Sequence, residues 1–447
     1  MRRAFALLCA LLCLAAALLA AGNAAFDRSG DRVYFSGDVL SGERADAAGL
    51  SVSLRPVFDG HLYWDLAYDP STGRLESPNG FDPDRIRYSS GAGVLETYIS
   101  LGWDALFEGI TPNPVYDYLY SLAGPNGEWT GATLDLSDFY DYYPVTARDY
   151  YSIISSLDED GLRSLNDALG DFFRIPVPSG DEVTLSVAFG ENADVFSTSI
   201  TYGDSYRGLN LRGPRVAGSD YLAFECSGAQ GFAGFDFSHI PGGFGIYRLP
   251  YDIDLGQYAV DGLECVLPLD PLTTEDITLC PSSDGDYLLA AVRDSSGAWT
   301  LYLIEGASGR TVQAMPLFDE GEELFIEPQG DFVVFTAVSF GRSRSQSLLA
   351  AEYSPGRLEA AVRVDGGVQP ALDDDTYVFE TVYALDASSR RLALVNLLWT
   401  ELYPPLSRPN ALEIGIYSAD GLEYLERVDL GLPVWDADYP RLSASFG

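Results

Sequence analysis

Histidine is almost missing from this sequence: His61 and His239 are the only two in 447 residues. A Ser-His-Asp triad needs a histidine as its base, and no Gly-x-Ser-x-Gly elbow marks a nucleophile. Both histidines therefore read as structural. Cysteine is scarce as well. Of five, Cys9 and Cys13 fall in an N-terminal apolar run, which leaves Cys226, Cys265 and Cys280. No Cys/His spacing resembles a zinc site. Basic residues are few, 27 against 66 acids, for a formal net charge of −39. A field of that sign repels DNA, RNA and anionic membrane surfaces, so no nucleic-acid partner is expected. Cations, basic proteins and neutral glycans stay compatible. There is no Gly-rich phosphate loop ahead of a helix, which excludes a nucleotide site of that kind.

What is present begins with the N-terminus. Arg2 and Arg3 precede an apolar run from Ala4 to Ala21, and Gly22-Asn23-Ala24 supplies small residues where a signal peptidase would cut. This is the layout of a secretory signal peptide over residues 1–24, with an uncleaved anchor as the alternative. It places the protein outside the cytoplasm, in the cell envelope or secreted. No second long apolar run follows, so no membrane span is expected after cleavage. A hydrophobic content of 47% with 13% aromatics argues against an unfolded acidic chain. Export permits a disulfide, and Cys265 with Cys280 is the better pairing of the three remaining thiols.

The dominant pattern is short apolar runs bounded by Gly, Asp, Ser and Pro. Tyr287 to Val292 reads as a strand, Asp294-Ser295-Ser296-Gly297 as a hairpin turn and Trp299 to Ile304 as its partner. Ala307-Ser308-Gly309 turns again into a third strand, Arg310 to Leu317. The unit recurs. Gly285-Asp286-Tyr287 is matched by Gly330-Asp331-Phe332, then by Ser347 to Tyr353 and Arg357 to Val364. Looser copies surround Ser219-Asp220-Tyr221, Leu392 to Val395 and Gly30-Asp31-Arg32, the last with Leu50 to Val57 as its next strand.

The run from Pro281 to Ala290, with Ser296-Gly297 and Trp299 to Leu303, resembles the repeat of TolB-type, WD40-like β-propellers. The resemblance implies an all-β fold: a β-propeller of about six to eight four-stranded blades, each burying its faces against its neighbours. A β-sandwich is the alternative. It also implies a propeller face that docks partners, without naming any. The expected organisation is a first set of blades over 25–110, a helical, Tyr/Asp-rich insertion over 111–180, and the remaining blades over 181–447.

In that insertion, Thr146-Ala147-Arg148-Asp149 has the spacing of a capping box, with a helix expected to follow through Leu157. A second helix is expected after Asp158-Glu159-Asp160, with Leu162, Leu165, Leu169 and Phe173 as one buried stripe. The segment also carries the candidate ligand-binding residues Tyr116, Tyr118, Tyr120, Trp129, Tyr140, Tyr142 and Tyr143. Such rings stack on sugars or anchor proteins, and equally pack a core. Asp373-Asp374-Asp375 could hold a hard cation through oxygen ligands, so calcium is the one cofactor suggested. Ser156 to Asp167 fails as an EF-hand, because it starts with Ser and ends with Asp.

With 66 acids, no pair stands out as catalytic, and no catalytic residue is assigned. The reading of function is a non-catalytic ligand- or protein-binding scaffold whose protein or glycan partner is open. The alternatives are a propeller-fold carbohydrate-active hydrolase and a purely structural envelope protein.

Overall fold

A computed structural model describes residues 11–18, 20–21, 33–58, 61–82, 84, 96–106, 113–123, 129–149, 159–189, 195–202, 208–227, 231–252, 257–339, 345–366, 368, 377–399, 410–431 and 441–447. The chain is all-β and built from recurring antiparallel sheets of the propeller-blade kind. It divides into two compact units: residues 1–93, 331–352 and 359–447 form one, and 94–330 with 353–358 form the other.

The first unit joins sequence extremes. Tyr34–Ser41 pairs with Gly421–Gly431, and the sheet continues through Ala411–Ser418 and Arg391–Trp399 to Tyr377–Asp386. A second sheet runs from Arg441–Phe446 through Leu50–Arg55 and Leu66–Asp69 to Arg74–Glu76. Leu50–Arg55 alternates strictly: Leu50, Val52 and Leu54 are buried and Ser51, Ser53 and Arg55 exposed, the period-two signature of a half-buried strand. Ala411–Ser418 is buried at every position, as a central strand covered on both faces must be.

One buried acid ties this unit together. Glu426 is fully buried and accepts hydrogen bonds from Arg44 (Nη2, 2.8 Å), Tyr68 (Oη, 2.7 Å) and Tyr424 (Oη, 2.7 Å). Gly37 lies against it: a Cβ there would sit 2.1 Å from Glu426 Oε1, so the position admits only glycine.

The second unit contains the four-stranded meander read from the sequence. Thr274–Pro281, Tyr287–Asp294, Trp299–Glu305 and Thr311–Phe318 follow one another in space as in sequence. The turn at Asp294 forms as its residues demand. The Ser296 N–H donates to Asp294 Oδ1 at 2.8 Å, and Gly297 takes φ +88°. The same Asp-x-Ser turn recurs at Asp69/Ser71, Asp135/Ser137, Asp236/Ser238 and Asp386/Ser388. A larger sheet runs Val145–Asp149, Glu96–Leu101, Gly208–Val216, Ser219–Ser227, Gly245–Asp252, with Glu264–Pro268 on the last strand.

Three expectations change here. Thr146 to Asp149 is strand rather than a capping box, and the helix expected to follow it through Leu157 lies outside the described residues. Val145 and Ala147 point into the core, and the segment pairs with Glu96–Leu101, so a long-range partner overrides the local capping signal. The 111–180 segment is only partly helical, because Trp129–Asp135 joins a three-stranded sheet with Glu182–Phe189 and Val195–Tyr202. Its helices are α1, Pro114–Ala123, and α2, Glu159–Phe172. Along α2, Leu165 and Leu169 are buried, as is Phe173 just past its end, and Leu162 packs beside them. Finally, Cys265 and Cys280 are free thiols. They lie on strands of different sheets, Cys265 against Gly242 and Gly245, Cys280 against the Ile326 carbonyl, so closeness in sequence does not bring the sulfurs together.

Removing Glu426 takes the ion-pair partner from Arg44 and the acceptor from two buried tyrosine hydroxyls. Glu426→Ala is expected to cost about 3–5 kcal/mol, read by chemical denaturation. A loss below about 1 kcal/mol would mean that the network is dispensable.

Candidate functional site

In the larger sheet of the second unit, residues 96, 98 and 100 face opposite to the core residues Ile99 and Leu101. Cross-strand register then lines up a polar row, Thr146, Ser100, Asn210 and Glu225, and beside it Tyr98, Arg212 and Ala223. The neighbouring Thr274–Pro281 strand packs against Gly208–Val216 and Ser219–Ser227. The approach is close: a Cβ on Gly213 would sit 1.7 Å from the Tyr221 carbonyl and 3.0 Å from the Leu279 side chain.

Arg212 links the acids. Its guanidinium donates to Glu96 Oε2 at 2.8 and 3.0 Å and lies 3.6 Å from Glu225 Oε1. The hydrogen bonds to Glu96 raise the Arg212 pKa further, so it stays charged. Burial pushes the Glu225 carboxyl above its ordinary value. Arg212 pulls it back, and the charges of Glu96 and Asp276 push it up again. Burial also raises Asp276, against the Ile277 N–H that donates to it at 2.8 Å and the pull of Arg293. Deeper in the row, Ser100 Oγ and Asn210 Oδ1 are buried without a hydrogen-bond partner among the described residues. Such atoms are uncommon in a folded protein and call for an explanation. Cys280, pushed up to about 12 by burial and by Glu327 and Glu96, is held as a thiol.

This arrangement can carry protons. Glu225, whose neutral form is favoured, lies beside the fixed Arg212 cation, and the charge of Asp276, itself shifted upward, acts on it; hydrogen-bonding atoms in the same row are left open among the described residues. Sequence reasoning missed it because the four residues sit on four strands, and nothing local distinguishes them from the other acids.

The residues singled out from the sequence are placed as follows. Tyr116 and Tyr120 on α1, with Tyr140, pack against the core, and Tyr143 is buried in it. Burial and the Asp117 charge push Tyr140 up to about 12. Tyr118, Trp129 and Tyr142 are exposed. Tyr118 meets the edge of Phe139, and Tyr142 meets His239 with Arg174 over its ring. The insertion aromatics thus divide between core and surface. His61 Nδ1 pairs with the Asp82 carbonyl at 2.9 Å. Among the described residues no group of three or more His, Cys, Asp or Glu is placed to hold a metal. Asp373, Asp374 and Asp375 lie outside the described residues, as does the turn at Gly30.

Solved structures show partial likeness to the chain. The chain is similar to a Bacteroides fragilis protein named for 6-phosphogluconolactonase activity, at 10% identity and TM-score 0.27, over 89% of this chain and 99% of that one. The periplasmic gluconolactonase of Pseudomonas aeruginosa aligns at 12% identity and TM-score 0.27, over 88% and 99%. The β-propeller domain of the trilobed protease of Pyrococcus furiosus aligns at 9% and 0.20, over 54% and 62%. No family model matches the chain and no curated protein does. The TolB-type resemblance therefore stands only at the coarser level of a propeller-type fold. The non-catalytic scaffold reading is corrected. The two gluconolactonase-named structures carry the names of enzymes, which is said of those proteins and speaks against that reading. At such identities the likeness concerns fold, and the chemistry must come from this chain's own residues. No helix among the described residues is long and apolar enough to cross a membrane.

The acids give stability a two-sided pH dependence. Glu225 and Asp276 are raised, so their contribution is complete below the ordinary carboxyl value of about 4 and is lost as pH rises through their folded values. Asp69, Asp236, Asp294 and Asp386 are lowered, chiefly by their serine hydroxyls. Their contribution is present above about pH 4 and is lost as pH falls through their folded values. Thermal stability should therefore peak in mild acid. Glu225→Gln should flatten the decline toward neutral pH, and an unchanged profile would remove Glu225 from the raised set.

Proposed function

We propose that this protein is a hydrolase of a C–O bond in a carbohydrate, with Glu225 and Asp276 as its proton-transfer pair. The observation that carries the reading is the upward shift of two carboxyls on neighbouring strands, Glu225 beside Arg212 and Asp276, whose charge acts on Glu225. Both carboxyls are held above their ordinary values, so in this reading one member serves as the acid and the other as the base. The protonated member gives its proton to the leaving oxygen. The ionised member takes a proton from the attacking water, whose oxygen forms the new bond to carbon. Arg212, fixed by Glu96, faces the negative charge that develops on oxygen. The N-terminal leader layout supports placing this chemistry outside the cytoplasm.

The test is turnover by the full chain on a panel of aryl glycosides and aldonolactones. Activity should show a bell-shaped pH dependence, and Glu225→Gln and Asp276→Asn should each lower kcat/KM by about 10²–10⁴-fold without loss of fold. Absence of turnover on both substrate classes, or full activity in both variants, would refute the proposal.

A further inference from the structure

The outward face of the Arg441–Phe446, Leu50–Arg55, Leu66–Asp69 sheet in the first unit bears a feature at odds with the rest of the chain. Arg55 and Arg441 stand directly opposite one another across two antiparallel strands. Like charges in that position repel. Asp65 forms an ion pair with Arg55, and the Arg55 guanidinium lies over the Tyr63 ring at 5.1 Å. Arg441 forms no ion pair with any described residue. The next row holds small side chains, with Ser53 opposite Ser443 on one side and Ala67 on the other. Arg55, Asp65, Arg441, Ser53, Ser443 and Ala67 line a recess of about 300 Å³.

The charge is what makes this recess unusual. Two arginines and one aspartate give it the opposite sign to a chain of net charge −39. All 27 basic residues of the chain are arginines, and Arg441 is one that takes no acid as partner among the described residues. A planar guanidinium pairs best with a planar or tetrahedral oxyanion through two parallel N–H···O bonds. We propose that the recess binds a small polyol bearing an oxyanion. The anion would sit between Arg441 and Arg55, and its hydroxyls over Ser53 and Ser443. The occupant relieves the Arg–Arg repulsion and bridges the C-terminal strand to Leu50–Arg55. The site is independent of the acid pair in the second unit.

The experiment titrates the full chain with inorganic phosphate, glycerol phosphate, glucuronate and glucose at constant ionic strength, read by thermal shift and calorimetry. The anionic probes should raise Tm and glucose should not. Whichever of glucuronate and glycerol phosphate binds more tightly identifies the anion as carboxylate or phosphate monoester. Arg441→Ala should weaken binding at least tenfold. It should not lower the Tm of the ligand-free protein, since it removes a like-charge contact. Stabilisation by sodium chloride alone, equal binding of glucose, or unchanged affinity in both Arg441→Ala and Arg55→Ala would overturn the proposal.

Discussion

A carboxylate taken out of water costs several kcal/mol unless donors replace its hydration shell, and each unit of this protein is arranged around one such group. In the first unit it is Glu426, matched by Arg44, Tyr68 and Tyr424. In the second it is Asp220, fully buried, with Arg215 at 2.6 and 3.0 Å and the Tyr258 hydroxyl at 2.9 Å. Thr97 completes that shell. Each acid draws its donors from distant parts of the chain. The shell around Glu426 spans Arg44 to Glu426 itself, and the shell around Asp220 spans Thr97 to Tyr258. Apolar burial would tolerate small shifts of register, whereas these networks do not, because a shift leaves a charge unmatched.

The same residue type does other work elsewhere. At the surface turns, Asp accepts from the N–H and hydroxyl of a serine two residues on, which favours its ionised form and fixes the turn. Between the Ser219–Ser227 and Thr274–Pro281 strands, Glu225 and Asp276 lack enough donors. Burial and neighbouring acids, Glu96 and Asp276 for the first and Glu323 and Glu275 for the second, favour the protonated form. The large negative charge is thus divided by environment among structural hubs, turn locks and a reactive pair.

The sequence disclosed what depends on neighbours along the chain. The Asp294–Gly297 turn, the meander of four strands and the buried stripe on α2 follow from local pattern and periodicity. What depends on partners far along the chain was hidden. Thr146 to Asp149 carried a capping-box spacing, but its strand partner lies at Glu96–Leu101. Ser219-Asp220-Tyr221 read as the start of a looser repeat copy, with nothing to mark Asp220 as a buried acid. Glu225 and Asp276 had no local mark at all. The Tyr-rich segment drew attention because aromatic residues suit both surfaces and cores, and the structure uses them for both.

The central claim is that environment, not residue type, assigns these acids their roles. Carbon-13 carboxyl NMR titration of the full chain tests it most directly. Glu225 and Asp276 should titrate above the ordinary carboxylate range and shift together, with Asp294 and Asp386 below it. If all four titrate within the ordinary range, the division of acids into turn locks and a reactive pair is wrong, and the proposed chemistry falls with it.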